Sequence, residues 1–132
     1  MTWGLSWLLM LTMTLRQPAA LDGAATYYGA PYIGRPMRNG EVYTGDDMTA
    51  AIDAHLWVLS PDELGCVSFA HRPCFANKRL LVCNNANCVV VRATDTGYLA
   101  QCGVDLDLSV RAYIALFGRL GGKQPVRAWV VG

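Results

Sequence analysis

The chain has 132 residues, which is enough for one domain and too few for two domains with separate cores. Its 11 basic and 10 acidic residues give a net charge of +1. This balance excludes the strongly basic surfaces that bind nucleic acids or anionic membranes, so we expect neither partner.

The first segment of the chain is apolar. Residues 3–15 carry no charge and are rich in Leu, Met and Trp. A membrane span needs about 20 apolar residues, so this run is shorter than a stable span and is typical of a secretory leader. We therefore predict an export leader over residues 1–23, one domain over residues 24–132, and a secreted, periplasmic or cell-wall location. The first basic residue, Arg16, follows the apolar run, and a buried strand or helix is the alternative.

Most of the remaining segments are predicted to be short strands and loops. Residues 25–28 are β-prone, and residues 29–47 are rich in Gly, Pro, Asn and Asp, which indicates a loop. Residues 48–59 suit a helix or a strand, and residues 61–73 suit a loop with a short strand at 66–69. The clearest strands are predicted at 79–83 and 88–93, with a last strand at 126–131.

One helix follows residue 109. Its apolar positions repeat at i, i+3, i+4 and i+7, namely Val110, Tyr113, Ile114 and Phe117. Asp107 or Ser109 can cap the first turn, and Gly118 can end the helix in a left-handed conformation. We therefore predict a mainly β domain, a small barrel with one packed α-helix and disulfide-stapled loops.

Five cysteines follow the leader: Cys66, Cys74, Cys83, Cys88 and Cys102. In an exported chain of this size they indicate disulfides. Cys83 and Cys88 flank an Asn-rich turn between two strands, so we predict that they are bonded. Cys102 is expected to bond to Cys74 or Cys66, which leaves one thiol over.

No cofactor or metal site is predicted. His71 and Cys74 lack the paired Cys-x-x-Cys spacing of a zinc ribbon. We expect a monomer.

Three acidic residues are candidates for a site. Glu41 lies inside the Gly-rich loop, Asp95 directly follows a predicted strand, and Asp107 lies where a strand gives way to the helix. Cleavage of a glycosidic bond uses a protonated carboxyl as the acid, often with a second carboxyl beside it. Two neighbouring carboxyls raise each other's pKa, which suits that role. The alternatives are that Asp107 caps the helix, Asp95 forms a turn and Glu41 is a solvated loop charge.

Five short motifs in order resemble those of RlpA-type (rare lipoprotein A) domains. They are residues 25–29 (ATYYG), 39–43 (NGEVY), 48–51 (MTAA), 89–97 (VVVRATDTG) and 125–129 (PVRAW). Residues 105–109 (DLDLS) contain an Asp-Leu-Ser that RlpA-type and expansin-type domains share. The resemblance covers residue 24 to the end. It implies a six-stranded double-psi β-barrel with a groove that binds cell-wall polysaccharide.

The RlpA-type resemblance implies a lytic transglycosylase that acts on peptidoglycan. Glu41 and Asp95 match its catalytic carboxyls. The family's His directly follows Thr-Ala-Ala, where this chain has Ile52, so His55, three residues later, is a substitute only if the loop is shifted.

The expansin-type resemblance implies instead a module that binds and loosens wall glycan without hydrolysis. Asp107 and Asp95 match its acidic residues, and Thr26, Tyr28 and Tyr98 are expected to line the groove. No Asp follows Thr26 in the first strand, which argues against cellulose hydrolysis. A structural or inhibitory barrel without a glycan ligand is the third interpretation.

Overall fold

The computed structural model describes residue 19 and residues 21–54, 56–57 and 77–132. The predicted strand at 66–69 and the residues His55, Cys66 and Cys74 lie outside the described residues. The elements are β1 (Leu21–Tyr28), β2 (Thr49–Asp53), β3 (Arg79–Cys83), β4 (Cys88–Gly97), β5 (Leu106–Ser109), α1 (Val110–Phe117) and β6 (Gln124–Val130). Two 3-10 turns lie at Ala30–Tyr32 and Leu99–Cys102. β1 begins three residues before the predicted start of the domain.

The six strands close into a barrel in the order β1-β5-β2-β4-β3-β6. β1 pairs with β5 in parallel, as β2 does with β4, and the other four pairings are antiparallel. The predicted fold class, a six-stranded double-psi β-barrel with one helix, is confirmed. Closure pairs both edges of the sheet, which leaves no open edge for aggregation.

The barrel interior is filled by alternate residues of every strand. Ala25, Ala50, Leu106 and Leu108 have no exposed surface, and Val91 is 1% exposed. Because successive side chains of a strand point to opposite faces, their sequence neighbours point out of the barrel. The outward-facing residues therefore include most of the polar side chains that were predicted from the sequence to form a site.

The helix α1 has the predicted ends. The Ser109 hydroxyl accepts a hydrogen bond from the Ala112 N–H at 3.1 Å, and Gly118 takes the left-handed conformation with φ 85°. The predicted apolar stripe faces the barrel in part, since Tyr113 is buried and Phe117 packs against the core. Ala112 and Leu116 are the other buried residues of the helix. Ile114 is exposed, since only one side of this short helix rests on the barrel.

The Cys83–Cys88 disulfide is present, as predicted. The two residues are directly paired across β3 and β4, which places their sulfurs within bonding reach. The prediction that Cys102 is bonded to Cys74 or Cys66 is wrong, because Cys102 is a free, exposed thiol. Cys102 ends a surface 3-10 turn, where its side chain faces solvent.

Removing the disulfide is expected to destabilise the barrel by about 2 kcal/mol, the chain-entropy value for so short a loop. The double variant Cys83→Ala/Cys88→Ala should show this loss in urea unfolding. Cys102→Ser is the matched control and should change stability by less than about 0.5 kcal/mol, because its side chain is exposed. Equal stability of the two variants would show that the Asn-rich turn alone fixes the hairpin.

Candidate functional site

A row of four residues crosses the outside of four adjacent strands. Thr26 of β1 is paired with Asp107 of β5, and Asp107 is paired with Ala51 of β2. Ala51 is in turn paired with Asp95 of β4. Directly paired residues project to the same face of a sheet, so this row, which we call the acid row, brings together side chains from distant parts of the chain.

A β-bulge places Asp95 in the acid row. The pairing steps from Ala50–Ala93 directly to Ala51–Asp95, so Thr94 is the extra residue of β4. Bulges re-aim the side chains that follow them. Without the shift, Asp95 would point toward the barrel interior with Ala93. The irregularity is therefore what turns this carboxyl toward Asp107.

A small apolar cluster supports the row at the end where β1 stops. It consists of Tyr28, Met37, Tyr43 and Ala51, all buried. The Tyr43 ring stacks on Tyr28 at 4.1 Å between centroids, and its hydroxyl donates to the Tyr28 carbonyl at 2.6 Å. The Val110 N–H donates to the same hydroxyl at 3.2 Å. Tyr43 thereby ties residues 29–47 to β1 and to the start of α1.

Asp107 is the carboxyl with the clearest acid character. Burial raises its pKa to about 6, and the charge of Asp95 adds to this, while the hydrogen bond from Thr26 opposes it. The Thr26 hydroxyl donates to Asp107 Oδ1 at 2.9 Å. Asp107 is thus protonated in a large fraction of molecules in mildly acidic solution, and its position is held by Thr26.

Asp95 is fixed by the loop that crosses it. The Arg38 N–H donates to Asp95 Oδ1 at 2.9 Å, and the Asn39 N–H donates to the Thr94 carbonyl at 3.1 Å. Two consecutive residues of the loop are therefore bound to two consecutive residues of the bulge. This contact holds the loop beside the acid row.

Glu41 is engaged elsewhere. Both of its carboxylate oxygens accept hydrogen bonds from the Arg92 guanidinium at 2.6 Å, and Asn39 donates to one of them. The hydrogen bond from Arg92 is the main cause that lowers the pKa of Glu41. A paired, ionised carboxylate has no proton to donate to a leaving group. Glu41 therefore has the environment of a structural ion pair rather than of a general acid.

Glu41→Gln is expected to change stability by less than about 1 kcal/mol, because the ion pair with Arg92 is exposed. The dissociation constant of any ligand that binds at the acid row should change by no more than about twofold in this variant, which corresponds to ~0.4 kcal/mol. Urea unfolding and equilibrium binding of the same preparation check both values. A loss of binding as large as that of an Asp107 variant would instead place Glu41 in the site.

The two other tyrosine positions differ in exposure. Tyr28 is buried with its hydroxyl toward Met37 Sδ at 3.6 Å, so it supports the site from below. Tyr98 is 78% exposed and follows the end of β4. Asp53 holds the adjoining 3-10 turn by accepting a hydrogen bond from the Ala100 N–H at 2.6 Å. His55 lies outside the described residues.

Three contributors were missed in the sequence. Tyr43, Met37 and Thr94 shape the site through contacts that join residues 15 to 67 positions apart. Tyr43 lies in the NGEVY motif of residues 39–43, and that position is the signal that could have pointed to it. Thr94 carried no local signal, since a bulge depends on the partner strand.

The described residues contain no group of three or more His, Cys, Asp or Glu side chains arranged to hold a metal ion. Across the same ranges, no helix combines the length and apolar character needed to cross a membrane.

The fold and the site thus define a double-psi β-barrel that carries two carboxyls on its outer surface. No family model and no curated protein matches the sequence. A solved structure, Streptomyces papain inhibitor (SPI), is similar with a TM-score of 0.56 and 19% identity, covering 83% of this chain and 93% of that chain. At that identity the likeness shows a shared barrel fold, and the resemblance to RlpA-type and expansin-type domains stays a prediction.

Proposed function

We propose that this barrel is an exported module that binds cell-wall polysaccharide along the acid row without hydrolysing it. The observation that carries the proposal is the juxtaposition of Thr26, Asp107 and Asp95 on one outer surface. A hydroxyl and two carboxyls in a line offer both donors and acceptors to the hydroxyl groups of a sugar chain.

Exposed aromatic side chains that follow β1 and β4 support a sugar ligand. Tyr32 is half-exposed and meets the buried Tyr28 edge to face at 5.9 Å between ring centroids. Tyr98 follows the end of β4, and because β1 and β4 run in opposite directions, Tyr32 and Tyr98 follow strand ends on opposite sides of the acid row. An exposed tyrosine combines an apolar ring with a polar hydroxyl tip. Its ring can therefore pack against the apolar face of a sugar while its hydroxyl stays in contact with water.

The charge state of Asp107 gives the binding a pH dependence. A sugar laid over Asp107 removes water from a carboxyl whose pKa is already raised by burial. Further desolvation disfavours the carboxylate, so ligand binding favours the protonated acid. Affinity should therefore be highest below pH 6 and should fall as the pH rises above it.

Lytic cleavage of peptidoglycan is the second candidate, and the raised pKa of Asp107 is the observation that favours it. A lytic transglycosylase needs an acid to protonate the leaving oxygen, while a hydroxyl of the sugar itself attacks. In this chain Asp107 would be that acid, with Asp95 beside it, and Glu41 would stay with Arg92.

An exported location agrees with the Cys83–Cys88 disulfide, since such bonds form and persist in oxidising compartments. The apolar run at residues 3–15 is the proposed export signal. Polysaccharide of the cell wall is a ligand that such a location would make accessible.

Co-sedimentation with insoluble cellulose, chitin and purified sacculi tests the proposal, with product analysis on the same samples. We expect binding to at least one polymer at pH 5, loss of binding in Asp107→Ala, and no new reducing ends or anhydro-sugars. Asp22→Asn, which changes an exposed carboxylate outside the acid row, is the control for cellulose and chitin. Release of anhydro-sugars from sacculi would contradict the proposal of binding without cleavage and would favour the lytic activity.

A papain assay completes the test, because the structural neighbour is named as an inhibitor of papain. Inhibition of papain combined with no binding to any wall polymer would contradict the proposal and favour an inhibitory barrel.

A further inference from the structure

A cleft lies on the outside of the barrel, where β1, β6 and the β3–β4 turn meet. Its volume is about 500 Å³, and its lining includes Asp22, Asn85, Arg127 and Trp129. This is within the range of small-ligand sites, roughly 300–1,000 Å³. Thr26, Asp95 and Asp107 are not part of its lining, so this cleft is separate from the acid row.

The strand register places two opposite charges side by side in the cleft. Arg127 of β6 is directly paired with Asp22 of β1 on one side and with Cys83 of β3 on the other. Val126 and Ala128, the sequence neighbours of Arg127, are buried in the barrel core. Arg127 and Asp22 therefore both project outward, along a row that ends at the disulfide.

The two charges do not neutralise each other. The Arg127 guanidinium lies over the Trp129 ring at 5.1 Å, and no ion pair joins it to Asp22 within the portion of the chain that the structure describes. Stacking leaves the N–H groups at the edge of the guanidinium directed away from the ring. The cleft therefore presents a cation and an anion, each with hydrogen-bonding capacity of its own.

We propose that this cleft binds a short peptide by its two charged ends. Arg127 binds the terminal carboxylate, Asp22 binds the terminal ammonium, and Asn85, on the β3–β4 turn at the other side of Arg127, bonds to the carboxyl end of the peptide. Directly paired residues of antiparallel strands lie about 5 Å apart. The Arg127 guanidinium lies over Trp129, two residues further along β6, so its charge is displaced from the backbone pairing. An extended dipeptide spans about 7 Å and a tripeptide about 10 Å, so we expect the shorter of the two.

A saccharide fits this cleft less well. Trp129 is 4% exposed and its ring lies beneath Arg127, so it offers no open face to a sugar. A neutral sugar also has no charges to match Asp22 and Arg127. This inference is independent of the function proposed for the acid row.

Titration with unblocked Ala-Ala, followed by amide NMR, tests the inference on the full chain. We expect saturable shifts at Asn85, Arg127 and the Trp129 indole, with Kd in the millimolar range. Arg127→Gln and Asp22→Asn should each weaken binding at least tenfold. Arg119→Gln, an exposed arginine outside the cleft, is the matched control and should bind like the wild type.

The blocked peptide N-acetyl-Ala-Ala-amide should not bind, because it lacks both charged ends. The proposal is overturned if the blocked peptide binds equally well or if both cleft variants retain wild-type affinity. Shifts at the same amides with cellotetraose but not with Ala-Ala would show a saccharide site instead. Unperturbed amide spectra of the variants confirm that each remains folded, and Asp107→Ala should leave peptide binding unchanged.

Discussion

Asp107→Asn is expected to remove the dependence of binding and stability on pH that the Asp107 carboxyl causes between about pH 5 and 7.5. The asparagine amide reproduces the hydrogen-bonding pattern of the protonated acid, because its oxygen accepts from Thr26 and its NH₂ group donates outward. The variant should therefore bind glycan at pH 7.5 about as well as the wild type does at pH 5. Asp107→Ala should bind weakly at every pH.

The same variant should be more stable than the wild type at neutral pH. The folded-state pKa of Asp107, about 6, is above its ordinary value of 3.8, so the folded protein binds more protons between these values. Wild-type stability consequently falls as the pH rises from about 4 to 6. Allowing for partial solvent exposure, we expect Asp107→Asn to gain about 2 kcal/mol at pH 7.5.

Urea unfolding at pH 4 and pH 7.5 measures this gain, and co-sedimentation measures the binding. Asp22→Asn is the control for unfolding and for binding to cellulose and chitin, since Asp22 is an exposed carboxylate on the same strand as Thr26. A stability difference between wild type and Asp107→Asn that stays the same at both pH values would contradict the raised pKa. If sacculi are cleaved by the wild type, this variant should bind them without cleaving.

Tyr43→Phe should destabilise the protein by about 1–3 kcal/mol, because one partner of its hydroxyl is buried and the other is only partly buried. Tyr43 is 2% exposed, and its hydroxyl bonds to the Tyr28 carbonyl and to the Val110 N–H. Phenylalanine leaves these two backbone groups without that partner, and an unsatisfied buried group costs roughly 1–3 kcal/mol. The ring volume stays the same, so the loss isolates the hydroxyl.

Thermal and urea unfolding check this loss, and Tyr98→Phe is the matched control. Tyr98 is 78% exposed, so the same substitution there should change stability by less than about 0.5 kcal/mol. Similar stabilities for the two variants would mean that Tyr43 does not link the loop, β1 and the helix as described.

Features fixed by local chemistry could be predicted from the sequence. The strand at 79–83 and its turn to Cys88 follow from two runs rich in Leu and Val that an Asn-rich tetrad interrupts. The ends of α1 follow from Ser109 and Gly118, whose preferred conformations are local properties. The disulfide between Cys83 and Cys88 could be predicted for the same reason, because the hairpin alone brings the two residues together.

Features set by contacts between distant segments could not be predicted. The pairing of Glu41 with Arg92 joins residues 51 positions apart, and no local pattern distinguishes an ion-paired Glu41 from a catalytic one. The bulge at Thr94 depends on the register of β2 against β4. The buried face of α1 depends on which side meets the barrel, and Ile114 fits the periodic pattern while facing solvent.

The most direct measurement is an NMR titration of the Asp107 carboxyl carbon, with and without a soluble oligomer of whichever polymer the protein binds. We predict a midpoint near pH 6 that moves lower in Asp95→Asn and higher when the oligomer is bound. A midpoint near 3.8 that neither the Asp95 substitution nor any wall oligomer displaces would contradict the acid row as a glycan site.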